Sequence, residues 1–275
     1  MPYDNKKSRK VKPIITKELC SHIKHHEGDR VYKVFFCLPS TKMLDIKAFK
    51  DAGLIRPGYT KIIAVEKKKK WRGVIGKFLT REGFPKSDRV VISKDLCDIY
   101  TWELAKACSD LGVEKIDLWY IDTCNSLVDC MQGWLEHVVG NCTSEDAVIV
   151  TNFCSPRYKA QEIKKWDHFT DCLPIAGCHN EASTPLNKNA RPICNFLTVK
   201  LNAFPSMCIS YKENDRATPM ILTVQHKKEA VRMRDRSDKD MWINILRIEE
   251  MQNLGYKKKK ATSRAMYRKL IEYCS

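Results

Sequence analysis

Between residues 31 and 153, five short apolar segments alternate with four amphipathic ones. "VYKVFFC" (31–37), "KIIAVE" (61–66), "RVVIS" (89–93), "KIDLWYID" (115–122) and "DAVIVTNF" (146–153) are rich in β-branched and aromatic residues and read as strands. Residues 43–53 place Met43, Leu44, Ile46 and Phe49 at helical spacing, and Gly53 suits a C-terminal stop. Residues 69–82 repeat the pattern with Trp71, Val74, Ile75, Phe78 and Leu79. Helices are predicted again over 100–111, closed by Gly112, and over 127–139, ending at Gly140. Strands this short and this uniformly apolar must be covered on both faces, and a helix between each pair supplies a parallel crossover. The alternation predicts an α/β fold, a doubly wound and mostly parallel sheet over about residues 30–155.

Beyond residue 155 the rhythm stops. Residues 156–204 carry Pro156, Pro174, Pro185 and Pro192 and read as an insertion with helical pieces. "SMCISYKENDRATPMILTVQHK" (206–227) reads as two strands around a polar turn, a C-terminal antiparallel hairpin. Residues 1–30 are expected to be a basic arm and lead-in, mobile over the first twelve residues. Residues 228–275 are expected to form a basic helical extension, with Met241, Trp242, Ile245, Leu246 and Ile248 on one helical face. The expected organisation is therefore 1–30, then a domain over 31–227, then 228–275.

Lys and Arg number 49 against 33 Asp and Glu, a formal net charge of +16. Such a field favours a polyanion, most simply nucleic acid, and speeds encounter with one. The excess is clustered at Lys6–Lys12, at Lys67–Lys70 with Arg72, at Arg232–Arg236, and at Lys257–Lys260 with Arg264, Arg268 and Lys269. Trp71, Trp242, Tyr256 and Tyr267 lie beside these runs, and lysine heads with aromatic faces suit a phosphate backbone with splayed bases. Lys68, Lys69, Lys70, Arg72, Arg234, Lys257, Lys258, Lys259 and Lys260 are the candidate contacts, the alternative being solvated helix faces. No motif selects DNA over RNA.

Thirteen cysteines, an odd number, include Cys37, Cys124 and Cys208 inside apolar runs. Reduced thiols in an intracellular compartment are the expectation, since "MPYDNKKSRKVK" has no apolar leader segment. No apolar run approaches the ~18 residues a membrane span needs. No C-x-x-C pair occurs, and His179-Asn180-Glu181 followed by Pro192-Ile193-Cys194 matches a zinc deaminase pattern only in part, with Leu197 in place of its last cysteine. No metal is expected.

In open parallel sheets, ligands bind outside the carboxyl ends of the strands, where the strand order reverses. Those ends read Leu38-Pro39-Ser40-Thr41, Glu66, Ser93-Lys94-Asp95-Leu96, Asp122-Thr123-Cys124-Asn125 and Thr151-Asn152-Phe153. A carboxylate at Glu66 suits both hydroxyls of a ribose, or else caps the helix that follows. Asp95 has the same two options, an adenine amino group or a helix entrance.

Five βα units, the acid ending the second strand, "KDL" after the third, "D-x-x-N" at the fourth and a terminal hairpin together resemble a class I S-adenosylmethionine-dependent methyltransferase over roughly residues 31–226. The resemblance implies S-adenosylmethionine lying across strands one to three, held by Leu38, Pro39, Ser40, Asp45, Glu66, Asp95 and Leu96. It implies an acceptor near the fourth strand, at Asp122, Cys124 and Asn125. The chain departs from the family in its first loop, "CLPSTKMLD", which has no glycine where the family's turn lets backbone approach cofactor; Asp45 stands in for the family's acid. It also lacks the "[DN]-P-P-[YF]" loop of base-amino methylating enzymes and offers "IDTCN" instead. Cys124, after Thr123, is either a thiolate nucleophile of the cytosine-C5 kind or a lining cysteine. The expected function is methyl transfer to DNA or RNA; the alternative is an inactive fold of the same shape serving as a nucleic-acid-binding or polymerase-associated scaffold.

Overall fold

The structure, a computed structural model, describes residues 8–39, 43–123, 129–154, 196–197, 200–211, 220–227 and 245–247. The strands are β1 (Val34–Cys37), β2 (Lys61–Val65), β3 (Arg89–Ile92), β4 (Ile116–Asp122), β5 (Thr143–Cys154), β6 (Phe204–Tyr211), β7 (Met220–His226) and β8 (Ile245–Arg247). The helices are α1 (Ser8–Glu27), α2 (Leu44–Asp51), α3 (Lys69–Arg81), α4 (Thr101–Asp110) and α5 (Asp129–Trp134). They form one sheet in the order β3-β2-β1-β4-β5-β7-β6-β8. Neighbours from β3 to β5 are all parallel. β7 runs antiparallel between β5 and β6, as the expected hairpin requires, and β8 adds parallel to β6 at the edge. Ile245 and Leu246, expected on a helical face, are instead in this strand, where the ladder to β6 takes their backbone groups. The "KENDRATP" turn and the 156–195 part of the insertion lie outside the described residues.

β1, β2 and β4 are buried almost throughout, which is why they read as unbroken apolar runs. The alternating side chains feed two cores. On one face Phe36, Ile63 and Trp119 pack against Leu104 and Cys108 of α4 and Trp134 of α5. On the other, Phe35, Ile62 and Tyr120 pack against Phe49 of α2 and Ile75 and Leu79 of α3. β3 is an edge strand, and each of its four residues is only half-buried. Gly53, at φ +75, takes the left-handed turn after α2 that a residue with a Cβ would resist. Gly140, expected to end the fifth helix, does not: its φ is −52, and the chain passes through a π-helical turn (Leu135–Val139) and a last α-helical turn (Gly140–Cys142) into β5.

The N-terminal segment differs from expectation. From residue 8 it is α1, twenty residues long with Pro13 inside it. Ile15, Leu19, Cys20 and Ile23 are buried in the second core, where α1 meets α2. Its C-terminal end is tied down by charge. Arg30 donates to Glu27 Oε2 at 3.0 Å and to Asp146 Oδ2 at 2.7 Å. Asp117, buried at the start of β4, accepts the backbone N–H groups of Lys33 (2.9 Å) and Val34 (2.7 Å) and fixes where β1 begins. Among the described residues, no helix is long and apolar enough to cross a membrane.

Candidate functional site

The strand order reverses between β1 and β4, because β2 and β3 continue on one side of β1 and the rest of the sheet on the other. That is where a parallel sheet opens a crevice at its carboxyl edge. The register levels the tips: Cys37 pairs with Ala64 on β2 and with Tyr120 on β4, and Val65 pairs with Ile92 on β3. Carried two residues further, the same register sets Pro39 between Glu66 and Asp122. At ~4.8 Å per strand, Glu66 and Asp122 stand ~10 Å apart across the crevice, with Asp95 one strand beyond Glu66. Asp122, which ends β4, and Glu66 and Asp95, which follow β2 and β3, thus line a single edge.

Each acid has a defined setting. Glu66 is half-buried; its N–H donates to Ile92 O at 3.0 Å, and its Oε1 accepts the N–H of Lys68 at 2.9 Å. Lys68 is the N-cap of α3 and makes no side-chain cap; Glu66 engages the N-cap's own N–H and sets its negative charge at the helix start. The four lysines behind it then begin the helix in water, all exposed. Asp95 Oδ2 accepts from Lys67 Nζ at 2.6 Å, and its Oδ1 accepts the Cys97 N–H at 3.3 Å, capping a short 3-10 turn (Leu96–Asp98). The Lys67 ammonium holds the Asp95 carboxyl below its ordinary range, against a smaller opposing effect of burial and with help from the Cys97 N–H. With Lys67 72% exposed, water screens the pair, so a ligand group displaces it easily. Asp122 Oδ1 accepts from Asn152 Nδ2 at 2.8 Å, and Asn152 O accepts the Thr123 N–H at 3.0 Å. β5 therefore fixes the direction of the β4 tip.

The first loop is built differently. Pro39 is buried and Leu38 half-buried against the first core. Met43 occupies the left-handed region, φ 50 and ψ 32, with its side chain 2% exposed. A glycine would adopt that conformation without cost; here it costs ~1–2 kcal/mol, offset by the buried thioether side chain. Asp45, one residue into α2, is 1% exposed and accepts from the Tyr120 hydroxyl at 3.3 Å, so it sits beneath the loop and within the second core. Leu96 is 8% exposed and packs into the first core. Ser40, Cys124 and Asn125 lie outside the described residues.

Of the candidate nucleic-acid contacts, Lys68, Lys69, Lys70 and Arg72 are all exposed and form no ion pair among the described residues. They stand at the mouth of the crevice, on the loop after β2 and the first turn of α3. Trp71, expected to present an aromatic face, is instead half-buried against the second core, with the Lys70 ammonium 5.9 Å from its ring. Arg234 and Lys257, Lys258, Lys259 and Lys260 lie outside the described residues. Lys67 and Asn152, legible only as part of a basic run and of a strand end, take defined partners at this edge, and Tyr100 and Trp102, which the sequence did not single out, stand near it. Trp102 stands off the buried stripe of α4 (Leu104, Ala107 and Cys108), and that spacing was the available signal; Tyr100, four residues before Leu104, shares the stripe's spacing, so its exposure left no mark in the pattern.

No protein-family model matches the chain, and no curated protein matches it in sequence. Solved structures do match in shape. The methyltransferase subunit of a type I restriction-modification system from Streptococcus thermophilus superposes with a TM-score of 0.53 at 10% identity, over 95% of this chain and 52% of that one. Magnesium protoporphyrin IX methyltransferase from Synechocystis, with SAH bound, gives a TM-score of 0.46 at 10% identity, over 82% of this chain and 88% of that one. A candidate RNA methyltransferase from Pyrococcus horikoshii gives 0.43 at 10% identity, over 77% and 81%. With the strand order and the antiparallel β7, the match to the restriction-modification subunit gives this chain the class I S-adenosylmethionine-dependent methyltransferase fold, in a divergent form without the glycine-rich first loop.

Proposed function

We propose that the chain binds S-adenosylmethionine at the carboxyl edge of the sheet and transfers its methyl group to a nucleic acid. The observation that carries this reading is the alignment of Glu66, Asp95 and Asp122 along the one edge where the strand order reverses. The donor chemistry fits the cofactor. Its ribose hydroxyls and adenine amino group are hydrogen-bond donors, and the three crevice acids are acceptors. Glu66 spends one oxygen on the Lys68 N–H and keeps the other for a ribose, while Asp95 retains lone pairs beyond those engaged by Lys67 and Cys97. The left-handed turn that a first loop needs is present at Met43. Leu38 and Pro39 supply the wall on the β1 side.

When bound, the cofactor supplies an electrophilic methyl group, its sulfonium becoming a neutral thioether. The chain's part is to orient. Asp122, steadied by Asn152, faces the acceptor and takes a hydrogen bond from its N–H or O–H. Cys124 and Asn125 follow it in the sequence. Much of the acceleration comes from alignment of acceptor and donor. The field of the basic residues, with Lys68, Lys69, Lys70 and Arg72 at the mouth, favours a polyanionic acceptor.

A second reading has its own support. Asp45 is turned into the core, and Asp95 is already paired with Lys67, as befits a fold that keeps the shape and binds nucleic acid without catalysis. Incubation with methyl-tritiated cofactor and single-stranded or duplex DNA and RNA separates the two. Label transferred to nucleic acid, and lost in Asp122→Ala, supports the enzyme. Nucleic acid bound without label transfer supports the scaffold.

A further inference from the structure

Tyr100 and Trp102 are 60% and 64% exposed, the most exposed large hydrophobic side chains among the described residues. Single exposed apolar residues are ordinary, but a neighbouring aromatic pair this open points to a partner. Their position makes little sense for folding alone. Tyr100 is the N-cap of α4 yet forms no side-chain cap, where Ser, Thr, Asp or Asn would stabilise the helix more. The helix start is secured by other means: Glu103 Oε2 accepts the Tyr100 N–H at 3.2 Å, and Thr101 Oγ1 donates to His137 O at 3.1 Å. The rings are thus free of a structural task and stand on a stiff base.

The surroundings say what kind of partner fits. The Lys67–Asp95 contact at 2.6 Å joins the loop after β2 to the loop after β3, so the basic run and the aromatic pair belong to one rim. Nearby acids are partly cancelled, Asp95 by Lys67 and Glu103 by Lys94 at 2.6 Å, which leaves Lys68, Lys69, Lys70 and Arg72 against Glu66 and Asp98, a net positive rim. A partner that offers both flat apolar faces and negative charge matches this rim. Unpaired nucleotides do so: bases stack on Tyr and Trp while phosphates meet the lysines. Duplex DNA keeps its bases stacked inside and presents only phosphates to such a surface.

The geometry points to Tyr100 and Trp102 as a base-stacking platform for single-stranded nucleic acid, beside the crevice and fed by the basic run of α3. This rests on the nucleic-acid reading given above and adds to it the strand state of the partner. The test is titration of the full chain with a fluorescent oligothymidylate and with a duplex of equal length, followed by anisotropy and by quenching of intrinsic tryptophan emission. The wild-type chain binds the single strand more tightly than the duplex, and Trp102→Phe removes the quenched component of the emission. Y100A/W102A, whose rings are exposed and leave both cores intact, weakens single-strand binding about tenfold or more without changing the slope of affinity against salt. Unchanged affinity in Y100A/W102A, or a duplex bound as tightly as the single strand, overturns the platform and leaves the nucleic-acid reading standing. No binding of either probe by the wild-type chain at low salt overturns both.

Discussion

At the residue scale, the crevice is decided by where single side chains spend their hydrogen bonds. Asp122 is held by Asn152 across the β4–β5 pair, so its direction does not depend on its charge. Asp122→Asn keeps an acceptor for Asn152 and removes the carboxylate. It is expected to cut methyl transfer about 100-fold or more while cofactor affinity, by calorimetry, stays within about twofold. Met43 is the opposite case, a residue whose backbone is strained and whose side chain is well packed. Met43→Gly relieves ~1–2 kcal/mol of left-handed strain and forfeits ~2–5 kcal/mol of burial, so urea unfolding should show a net loss of about 2 kcal/mol. The acids at strand ends were readable as a pattern, because a carboxylate directly after four apolar residues is conspicuous. The left-handed Met43 was not, since only glycine announces that conformation in a sequence. Nor was the inward turn of Asp45, which depends on Tyr120 arriving from 75 residues away.

At the element scale, α1 carries the clearest consequence. Leu19 is fully buried in the second core, so Leu19→Ala should cost about 3 kcal/mol in urea unfolding, whereas an arm would lose nothing. The helix escaped the sequence reading because its start is lysine-rich, Pro13 interrupts its pattern, and its last turn is histidines. One turn earlier, His22 sets a pH dependence. His22, 7% exposed, meets Ser206 Oγ at 2.9 Å; His26 lies 4.4 Å from its ring and 5.3 Å from that of His226, which Glu27 holds at 2.7 Å. Burial first, and then the neighbouring His26, His226 and His25, lower the His22 pKa to about 3. Folding therefore holds His22 neutral, and its contribution is present above the unfolded value and lost as pH falls. Burial acts against the Glu27 carboxylate, but hydrogen bonds and charge from His226 and Arg30 hold it low, and it loses stability in the same direction. Asp117 runs the other way, because burial raises its pKa despite the Lys33 and Val34 N–H groups. A comparison with His22→Gln cancels both carboxylates: between pH 7 and 5 the wild type should lose about 2 kcal/mol more than the variant. Equal losses in the two proteins would remove His22 from the account.

At the scale of the whole molecule, order and charge were visible early, and the reason is physical. Strands buried on both faces and helices with one buried face leave distinct periods in a sequence, so β1 to β5 and α2 to α4 fall close to where the pattern put them. The hairpin of β6 and β7 was legible as well, but the pairings that attach it, β7 to β5 and β8 to β6, join segments whose separation carries no local signature. The charge excess makes a separate prediction. K68A/K69A/K70A/R72A should flatten the slope of log affinity for single-stranded nucleic acid against log salt by about 3 if all four residues meet phosphates. An unchanged slope would move the contact elsewhere.

Whether the aligned acids hold a nucleoside is tested by calorimetric titration of the intact chain with S-adenosylhomocysteine, beside Glu66→Ala. The wild type should bind with a measurable heat, and the variant, which keeps the same melting temperature to within a few degrees, should bind about tenfold or more weakly through loss of the ribose contact. No heat from the wild type at millimolar ligand, or equal affinity in the two proteins, would contradict a cofactor crevice between β1 and β4.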